Sequence, residues 1–222
     1  MKKRNKISIL RFITQITYLG LFIASILSKN LVFLFINITA VLFGPIFCGW
    51  MCFLGLYQDS LRYLGKFIKK EPLEIDEKIH RFLKYFRYIF FISALTIGGV
   101  FLFPGSVWSH FASLVKGHVI IDVAFYFLIM LGVLSLFTKR FFCRYFCTFG
   151  ARLGFYSLLR PITINRNDSC ISCKLCSKEC LMHIQVDKIT SLANPSCINC
   201  LKCVESCPKN SLNINFRNYL KP

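Results

Sequence analysis

Eight cysteines near the C-terminus form two copies of one spacing. The copies read Cys170-x2-Cys173-x2-Cys176-x3-Cys180 and Cys197-x2-Cys200-x2-Cys203-x3-Cys207. Thiolates at such short intervals are ligands for soft metals, chiefly zinc, copper(I) and iron–sulfur clusters. Zinc sites usually combine two pairs of ligands across a longer gap. A [4Fe–4S] cube needs four thiolates, and this spacing lets one loop wrap three of them around one side. The pattern therefore favours iron–sulfur clusters over zinc.

The two runs resemble those of the bacterial-type two-cluster ferredoxins, over about Ser169 to Leu212. In that family the last cysteine of each run ligates the other cluster. The resemblance implies one cluster on Cys170, Cys173, Cys176 and Cys207 and a second on Cys197, Cys200, Cys203 and Cys180. Leu181 stands where the family usually has proline, a departure that removes no ligand. We expect two [4Fe–4S] clusters in a small α+β domain, residues 161–222.

Four further cysteines form two pairs in aromatic surroundings. Both pairs follow the pattern Phe-Cys-x-aromatic-x-Cys-x-x-Gly, which makes them an internal repeat. Three intervening residues put both thiols of a pair on one face of a helix. Two such faces would together make a metal site for a third Fe–S cluster or a copper or zinc ion, with the ligands Cys48, Cys52, Cys143 and Cys147. The alternative stays open that these are small buried residues or a redox-active thiol pair.

The remaining sequence is apolar and basic. Hydrophobic residues make up 55% of the 222 residues and charged residues 17%, with a net charge of +18. Lys and Arg lie mostly between long apolar runs, which is typical of a membrane protein facing anionic lipid and argues against nucleic acid as a partner. The first run is Ile7–Leu27, the second extends from Leu31 past Phe47 with no charge before Asp59, and the others are Tyr88–Phe103 and Val119–Phe137. About 20 residues cross the hydrocarbon layer, so the sequence predicts four transmembrane helices within residues 1–160.

The placement of Lys and Arg predicts an orientation. Basic residues crowd the segments before the first run, between the second and third, and after the fourth, whereas the opposite connections hold only Lys29 and Lys116. The positive-inside rule then places both termini in the cytoplasm, in a multi-pass protein of the inner membrane. The predicted fold class is an α-helical integral membrane protein with four transmembrane helices and a small α+β ferredoxin-like cytoplasmic domain.

With the cysteine repeat, the whole chain resembles the four-span membrane polyferredoxins. That family includes the quinol-dehydrogenase membrane component of periplasmic nitrate reductase systems and the membrane regulator of nitrous-oxide reduction. Its pattern is Cys-x3-Cys-Pro, and here Phe53 and Thr148 replace the prolines. The resemblance implies electron transfer between a quinol or partner subunit and a redox partner protein, beside membrane lipid.

Two other functions remain open at this stage. The four paired cysteines would also suit a factor that binds or reduces copper for delivery, and cluster loss would suit a redox-sensing regulator. We find no general acid–base constellation and no Gly-rich phosphate loop in the sequence. We therefore predict no catalytic residue and interpret the chain as an electron carrier or a non-catalytic subunit of an oxidoreductase.

Overall fold

The computed structural model describes residues 6–23, 29–68, 72–73, 75–96, 107, 111, 113–114, 117–118, 121 and 123–216. Its longer helices are α1 (Lys6–Ile23), α2 (Lys29–Phe43), α4 (Phe53–Ile68), α5 (Glu77–Thr96), α6 (Val123–Phe137) and α8 (Thr148–Tyr156). Its short helices are α3 (Ile46–Trp50), α7 (Phe141–Tyr145), α9 (Leu175–Lys178) and α10 (Lys202–Ser206), and 3-10 turns lie at Ser157–Leu159 and Val186–Lys188. The strands β1 (Ile162–Arg166) and β2 (Leu212–Phe216) pair antiparallel, with Ile164 opposite Ile214.

The chain divides into two compact units. The cysteine-rich unit comprises residues 1–52 and 153–222, and the central unit comprises residues 53–152. This division follows packing, so the first three helices belong with the C-terminal cysteines. The domains predicted above, 1–160 and 161–222, follow sequence content instead and remain a prediction.

In the cysteine-rich unit, the start of α1 is fixed by a residue near the other end of the chain. The carboxylate of Glu205 in α10 accepts hydrogen bonds from the backbone N–H groups of Ile7, at 3.0 Å, and Ser8, at 3.2 Å. The Ser8 hydroxyl donates to the same carboxylate at 2.5 Å. Free N–H groups at a helix start carry partial positive charge, and an acidic side chain there satisfies them and stabilises the helix. Glu205 therefore joins α1 to the second cysteine run.

In the central unit, α4 packs against α6 along a surface that contains buried polar groups. Arg62 donates to the carbonyl oxygen of Leu136 at 2.7 Å. Arg140, whose side chain is fully buried, donates to both carboxylate oxygens of Asp59, at 3.0 and 2.7 Å. A bidentate arginine–carboxylate pair fixes the relative orientation of the two side chains as well as their distance. It ties the residue just before α7 to the middle of α4.

The prediction of four transmembrane helices is wrong. No helix among the residues that the structure describes is both long enough and apolar enough to cross a bilayer. The apolar helices α2 and α6 have 15 residues each, which at 1.5 Å per residue is about 22 Å against a hydrocarbon layer of about 30 Å. The longer α1 carries Lys6 and Arg11, and the first half of α5 carries repeated Lys and Arg.

The predicted location is corrected for the same reason. A multi-pass placement in the inner membrane, with both termini in the cytoplasm, required helices of a length and apolarity that the described residues lack. Apolarity extended the predicted runs past the points where the helices end, such as the Gly44-Pro45 break after α2. Parts of the runs, at residues 24–27, 97–103, 119–120 and 122, lie outside the described residues, as does Lys116.

The buried ion pair generates a stability prediction. Replacement of Asp59 with alanine leaves the guanidinium of Arg140 buried without its carboxylate, and losing one partner of a buried pair costs about 3–5 kcal/mol. We expect Asp59→Ala to lower the free energy of unfolding by about 3 kcal/mol, measured by urea unfolding with far-UV circular dichroism. Asp168→Ala, which removes an exposed carboxylate, is the control and should change it by less than about 0.5 kcal/mol. Equal values for both variants would contradict the prediction.

Candidate functional site

Four of the predicted ligands surround one cavity. The cavity holds ≈ 370 Å³ of empty space, including its mouth, and the sulfur-bearing residues in its wall are Cys170, Cys173, Cys176 and Cys207. Three come from the first cysteine run and the fourth from the end of the second. Cys173 is exposed, and the other three are half-buried. We call this space the outer cavity.

The other four predicted ligands surround a second cavity. It holds ≈ 320 Å³ of empty space, and its sulfur-bearing residues are Cys180, Cys197, Cys200 and Cys203. The first of these comes from the end of the first run, so each run contributes its last cysteine to the other cavity. Apolar side chains form the rest of the wall: Ile164, Met182, Ile184, Val186, Leu192, Ile198 and Leu201. Cys197, Cys200 and Cys203 are buried, and we call this space the inner cavity.

Both cysteine runs have the same backbone conformation. Residues in the left-handed region occur two and four positions after the first cysteine of each run and three positions after the last. They are Ser172, Lys174 and His183 in the first run and Asn199, Leu201 and Asn210 in the second. Positive φ is uncommon for residues other than glycine. Positive φ at equivalent positions shows that the two runs, which share one cysteine spacing, position their cysteines with the same turns.

Backbone N–H groups point at the last sulfur of each run. Ile184 donates to the Sγ of Cys180 at 3.4 Å, and Ser211 donates to the Sγ of Cys207 at 3.3 Å. Each donor lies four residues after its cysteine. Hydrogen bonds to thiolate sulfur help to set the reduction potential of an iron–sulfur cluster. The arrangement is therefore suited to thiolates as well as to thiols.

The thiols of the inner cavity are electrostatically costly to ionise. Burial, together with the charge of the neighbouring Cys200, raises the pKa of Cys180 to about 12. Burial also raises the pKa of Cys203 and Cys197, while the guanidinium of Arg160 partly opposes the rise at Cys197. Thiolates crowded in an apolar wall need a cation among them. An iron–sulfur core, which binds thiolates through its irons, meets that need.

Four cysteines are distributed around each of two spaces. A [4Fe–4S] core takes four thiolates, and two-cluster ferredoxins exchange the last cysteine between runs in this way. The assignment of these eight cysteines as cluster ligands stays a prediction.

The paired cysteines lie at breaks between helices. The helix α3 ends at Trp50, before Cys52, and α7 ends at Tyr145, before Cys147, so the prediction of one continuous helical face for each pair is wrong. The local backbone is nevertheless the same in both copies. Cys52 donates its N–H to the Phe47 carbonyl at 2.9 Å, and Cys147 donates to that of Phe142 at 3.1 Å. The internal repeat is thus also a repeat of structure.

Sequence reasoning missed a polar side chain beside the second pair. Gln58 is 1% exposed. Its Nε2 donates to the Sγ of Cys143 at 3.2 Å, while its Oε1 accepts the N–H of Phe142 at 3.1 Å. Gly150 donates its N–H to the Sγ of Cys147 at 3.2 Å. No local sequence signal marks this glutamine, because its bond to Cys143 spans 85 residues.

The two pairs belong to different units. Cys48 and Cys52 lie in the cysteine-rich unit and are buried, whereas Cys143 and Cys147 lie in the central unit and are half-buried. A shared metal site on these four cysteines stays a prediction.

Comparison with known proteins identifies the family. The family described as a 4Fe-4S binding domain matches residues 30–71 and 123–166. An uncharacterized protein of Methanocaldococcus jannaschii is 30% identical over 186 residues, which cover 82% of this chain and 76% of that protein. The chain belongs to this family of 4Fe-4S iron–sulfur proteins. Its cofactors are two [4Fe–4S] clusters.

Other relatives of this iron–sulfur protein are longer. YccM of Escherichia coli, whose name proposes a role in electron transport, is 35% identical over 77% of this chain but only 51% of its own length. The regulatory protein NosR of Pseudomonas aeruginosa is 28% identical over 69% of this chain and 23% of its own length. The chain thus spans about half of one relative and under a quarter of the other. No solved structure matches it.

The family match does not assign the ligands. The matched segments contain the pairs at Cys48, Cys52, Cys143 and Cys147, while the eight C-terminal cysteines lie outside them. The cofactor is therefore shown by the family, whereas the residues that hold each cluster of this iron–sulfur protein stay a prediction.

The raised pKa values generate a prediction for the protein after anaerobic removal of its clusters. The thiolate is the form that alkylating agents attack. Since Cys203 has a raised pKa and is buried, whereas Cys173 is exposed, we expect iodoacetamide at pH 8 to modify Cys173 at least about tenfold faster. Raising the pH to 9 should leave Cys203 slow, because its thiolate forms only at more alkaline pH. Peptide mass spectrometry measures both rates.

Denaturant provides the control for this measurement. In 6 M guanidinium the two thiols should react at similar rates, since burial no longer separates them. Equal rates in protein that retains its helical circular dichroism would contradict the prediction.

Proposed function

We propose that this iron–sulfur protein carries electrons, one at a time, through two [4Fe–4S] clusters held by its eight C-terminal cysteines. The observation that carries the proposal is the grouping of these cysteines around two cavities, each of which receives three from one run and one from the other. When bound, a [4Fe–4S] cluster supplies reversible one-electron redox chemistry. The protein supplies thiolates, hydrogen bonds, and control of solvent access.

The two proposed clusters differ in their surroundings, and this difference supports different roles for them in electron transfer. Exposed residues border the outer cavity, including Cys173 itself, whereas the inner cavity is walled by apolar side chains. Solvent exposure is one of the factors that separate cluster potentials. The outer cluster is therefore the point of exchange with other molecules, and the inner cluster is the store or relay behind it.

The partner in this proposal is a redox protein. The name of YccM, which proposes electron transport for that relative, supports the same class of function here. A quinol as the electron donor is the finer hypothesis implied by the resemblance to polyferredoxins. Anaerobic mixing with a reduced, water-soluble quinol tests this hypothesis. If the quinol donates electrons to the clusters, their visible absorbance should decrease after mixing.

The ligand assignment predicts a metal content. Anaerobically purified protein should contain about eight irons and about eight acid-labile sulfides, and reduction should produce a paramagnetic signal. About twelve irons would mean that the paired cysteines hold a third cluster. Cys203→Ser is expected to lower the iron content by about half and to remove one of two reduced-state signals. Cys48→Ser/Cys143→Ser, outside both cavities, is the matched control and should keep about eight irons.

Three results would count against this function. Zinc in place of iron would remove the redox chemistry. Full iron content in Cys203→Ser would contradict the ligand assignment. Loss of clusters in Cys48→Ser/Cys143→Ser, with the iron content of Cys203→Ser unaffected, would show that the paired cysteines are the ligands instead.

A further inference from the structure

The rim of the outer cavity carries an unbalanced positive charge. Arg166, Lys174 and Lys209 line it, against the single acid Asp187. The carboxylate of Asp187 accepts a hydrogen bond from the hydroxyl of Ser177, and the three cations of the wall outnumber it. Lys174 and Lys209 are exposed. A partner that approaches the outer cavity therefore meets positive charge.

Apolar surface accompanies this charge. Ile171, between the first two cysteines of the run, is 59% exposed, and Pro208, which follows the last cysteine of the outer cavity, is exposed as well. Interfaces commonly combine a small apolar anchor with a charged rim. The inner cavity has no charged residue in its wall. The combination of exposed thiolate ligand, apolar anchor and cationic rim is thus specific to the outer cavity.

We propose that the rim of the outer cavity is the docking surface for an acidic electron-transfer protein, a proposal that rests on the function proposed above. Complementary charges raise the association rate and align the partners, an effect that salt screens. Exposure of Cys173 lets the partner's redox centre approach the cluster closely. Two acids of the same segment, Asp168 and Glu179, do not line the cavity and leave the sign of the rim unchanged.

Charge reversal tests the docking surface with protein that has been loaded with clusters and reduced. Acidic flavodoxin is the probe, and stopped-flow absorbance follows its reduction at several salt concentrations. Lys174→Glu/Lys209→Glu should slow the second-order rate at low salt at least tenfold and flatten its salt dependence. Lys66→Glu, at an exposed lysine in α4, is the matched control and should retain the wild-type rate.

A second probe separates charge from damage. Oxidised cytochrome c, a basic protein, should react faster with Lys174→Glu/Lys209→Glu than with the wild type, because the rim now attracts it. Unchanged flavodoxin rates, equal losses in Lys66→Glu, or slower reaction with both probes would overturn the docking surface while leaving the electron-transfer function standing. Failure of the wild type to form reducible clusters would overturn both.

A different observation concerns the inner cavity. Arg160, which follows the 3-10 turn after α8, is 0% exposed. One of its terminal nitrogens, Nη2, donates to the carbonyl of Leu192, a residue in the wall of the inner cavity. The positive charge of Arg160 also partly opposes the rise that burial causes in the pKa of Cys197, which lies in the same wall. A buried positive charge is therefore held beside the inner cavity.

The N-terminal segment leaves room for this guanidinium. Gly44 has φ +80°, and a Cβ built on it would lie 2.6 Å from Nη1 of Arg160. Any side chain at that position would displace the guanidinium. The positive φ also favours glycine, which adopts it without strain. The turn after α2 thus has the residue that Arg160 requires.

We infer that Arg160 is a positioning residue that raises the reduction potential of the inner cluster. Reduction adds negative charge, and a buried cation nearby stabilises the reduced state because the protein interior screens charges less than water does. The inner cluster would otherwise be hard to reduce, since its remaining wall is apolar.

Potentiometric titration followed by electron paramagnetic resonance tests this role. Arg160→Met should make one of the two cluster potentials more negative by at least 59 mV, which corresponds to a tenfold change in a one-electron equilibrium, and should leave the other unchanged. Arg160→Lys keeps the charge without the planar fork and should shift the same potential by less. If Arg160→Met does not incorporate its clusters, the potentials of Arg160→Lys provide the test.

Three results would separate the role of Arg160 from the proposed function. The role of Arg160 would be overturned if a variant with the wild-type amount of iron had unshifted potentials, or equal shifts of both potentials. An equal shift in Arg160→Lys and Arg160→Met would overturn the part of the argument that depends on charge. Absence of iron from the wild type would instead overturn the proposed function.

Discussion

Four thiols that repel one another once ionised have to be held around a single space, and this requirement governs the C-terminal fold. The chain meets it twice, through turns in which residues other than glycine take left-handed conformations at equivalent positions. Such residues cost about 1–3 kcal/mol each unless the surroundings hold them. The exchange of the last cysteine between runs supplies that hold, because neither cavity is complete without both runs.

The first helices contribute to the same arrangement. Trp50 donates its indole N–H to the carbonyl of Asn199 at 2.9 Å, between two cysteines of the inner set. Gly49 lies so close to the second run that a Cβ there would meet the carbonyl of Ile198 at 2.5 Å. Gln15 in α1 donates to the Gly49 carbonyl at 3.3 Å. The inner cavity is therefore backed by α1 and α3, which explains why packing assigns residues 1–52 to the cysteine-rich unit.

The sequence was informative where a motif resembles that of a known family. The resemblance of the two cysteine runs to two-cluster ferredoxins implied the same two groups of four cysteines that line the two cavities. Hydropathy was a poorer guide, because apolar runs do not reveal that α2 stops at Phe43 and that a second helix starts at Ile46. Gln58 and Arg160 could not be found from sequence, since their roles depend on contacts across 85 and 32 residues.

The bond between Glu205 and the start of α1 has a consequence for the order of events during synthesis. It joins positions 198 residues apart, so the first helix leaves the ribosome long before its capping carboxylate exists. Contacts between distant positions form late because the intervening chain must first be ordered. Until then, the first N–H groups of α1 lack this acceptor, and assembly of this unit can be completed only after translation of the second cysteine run.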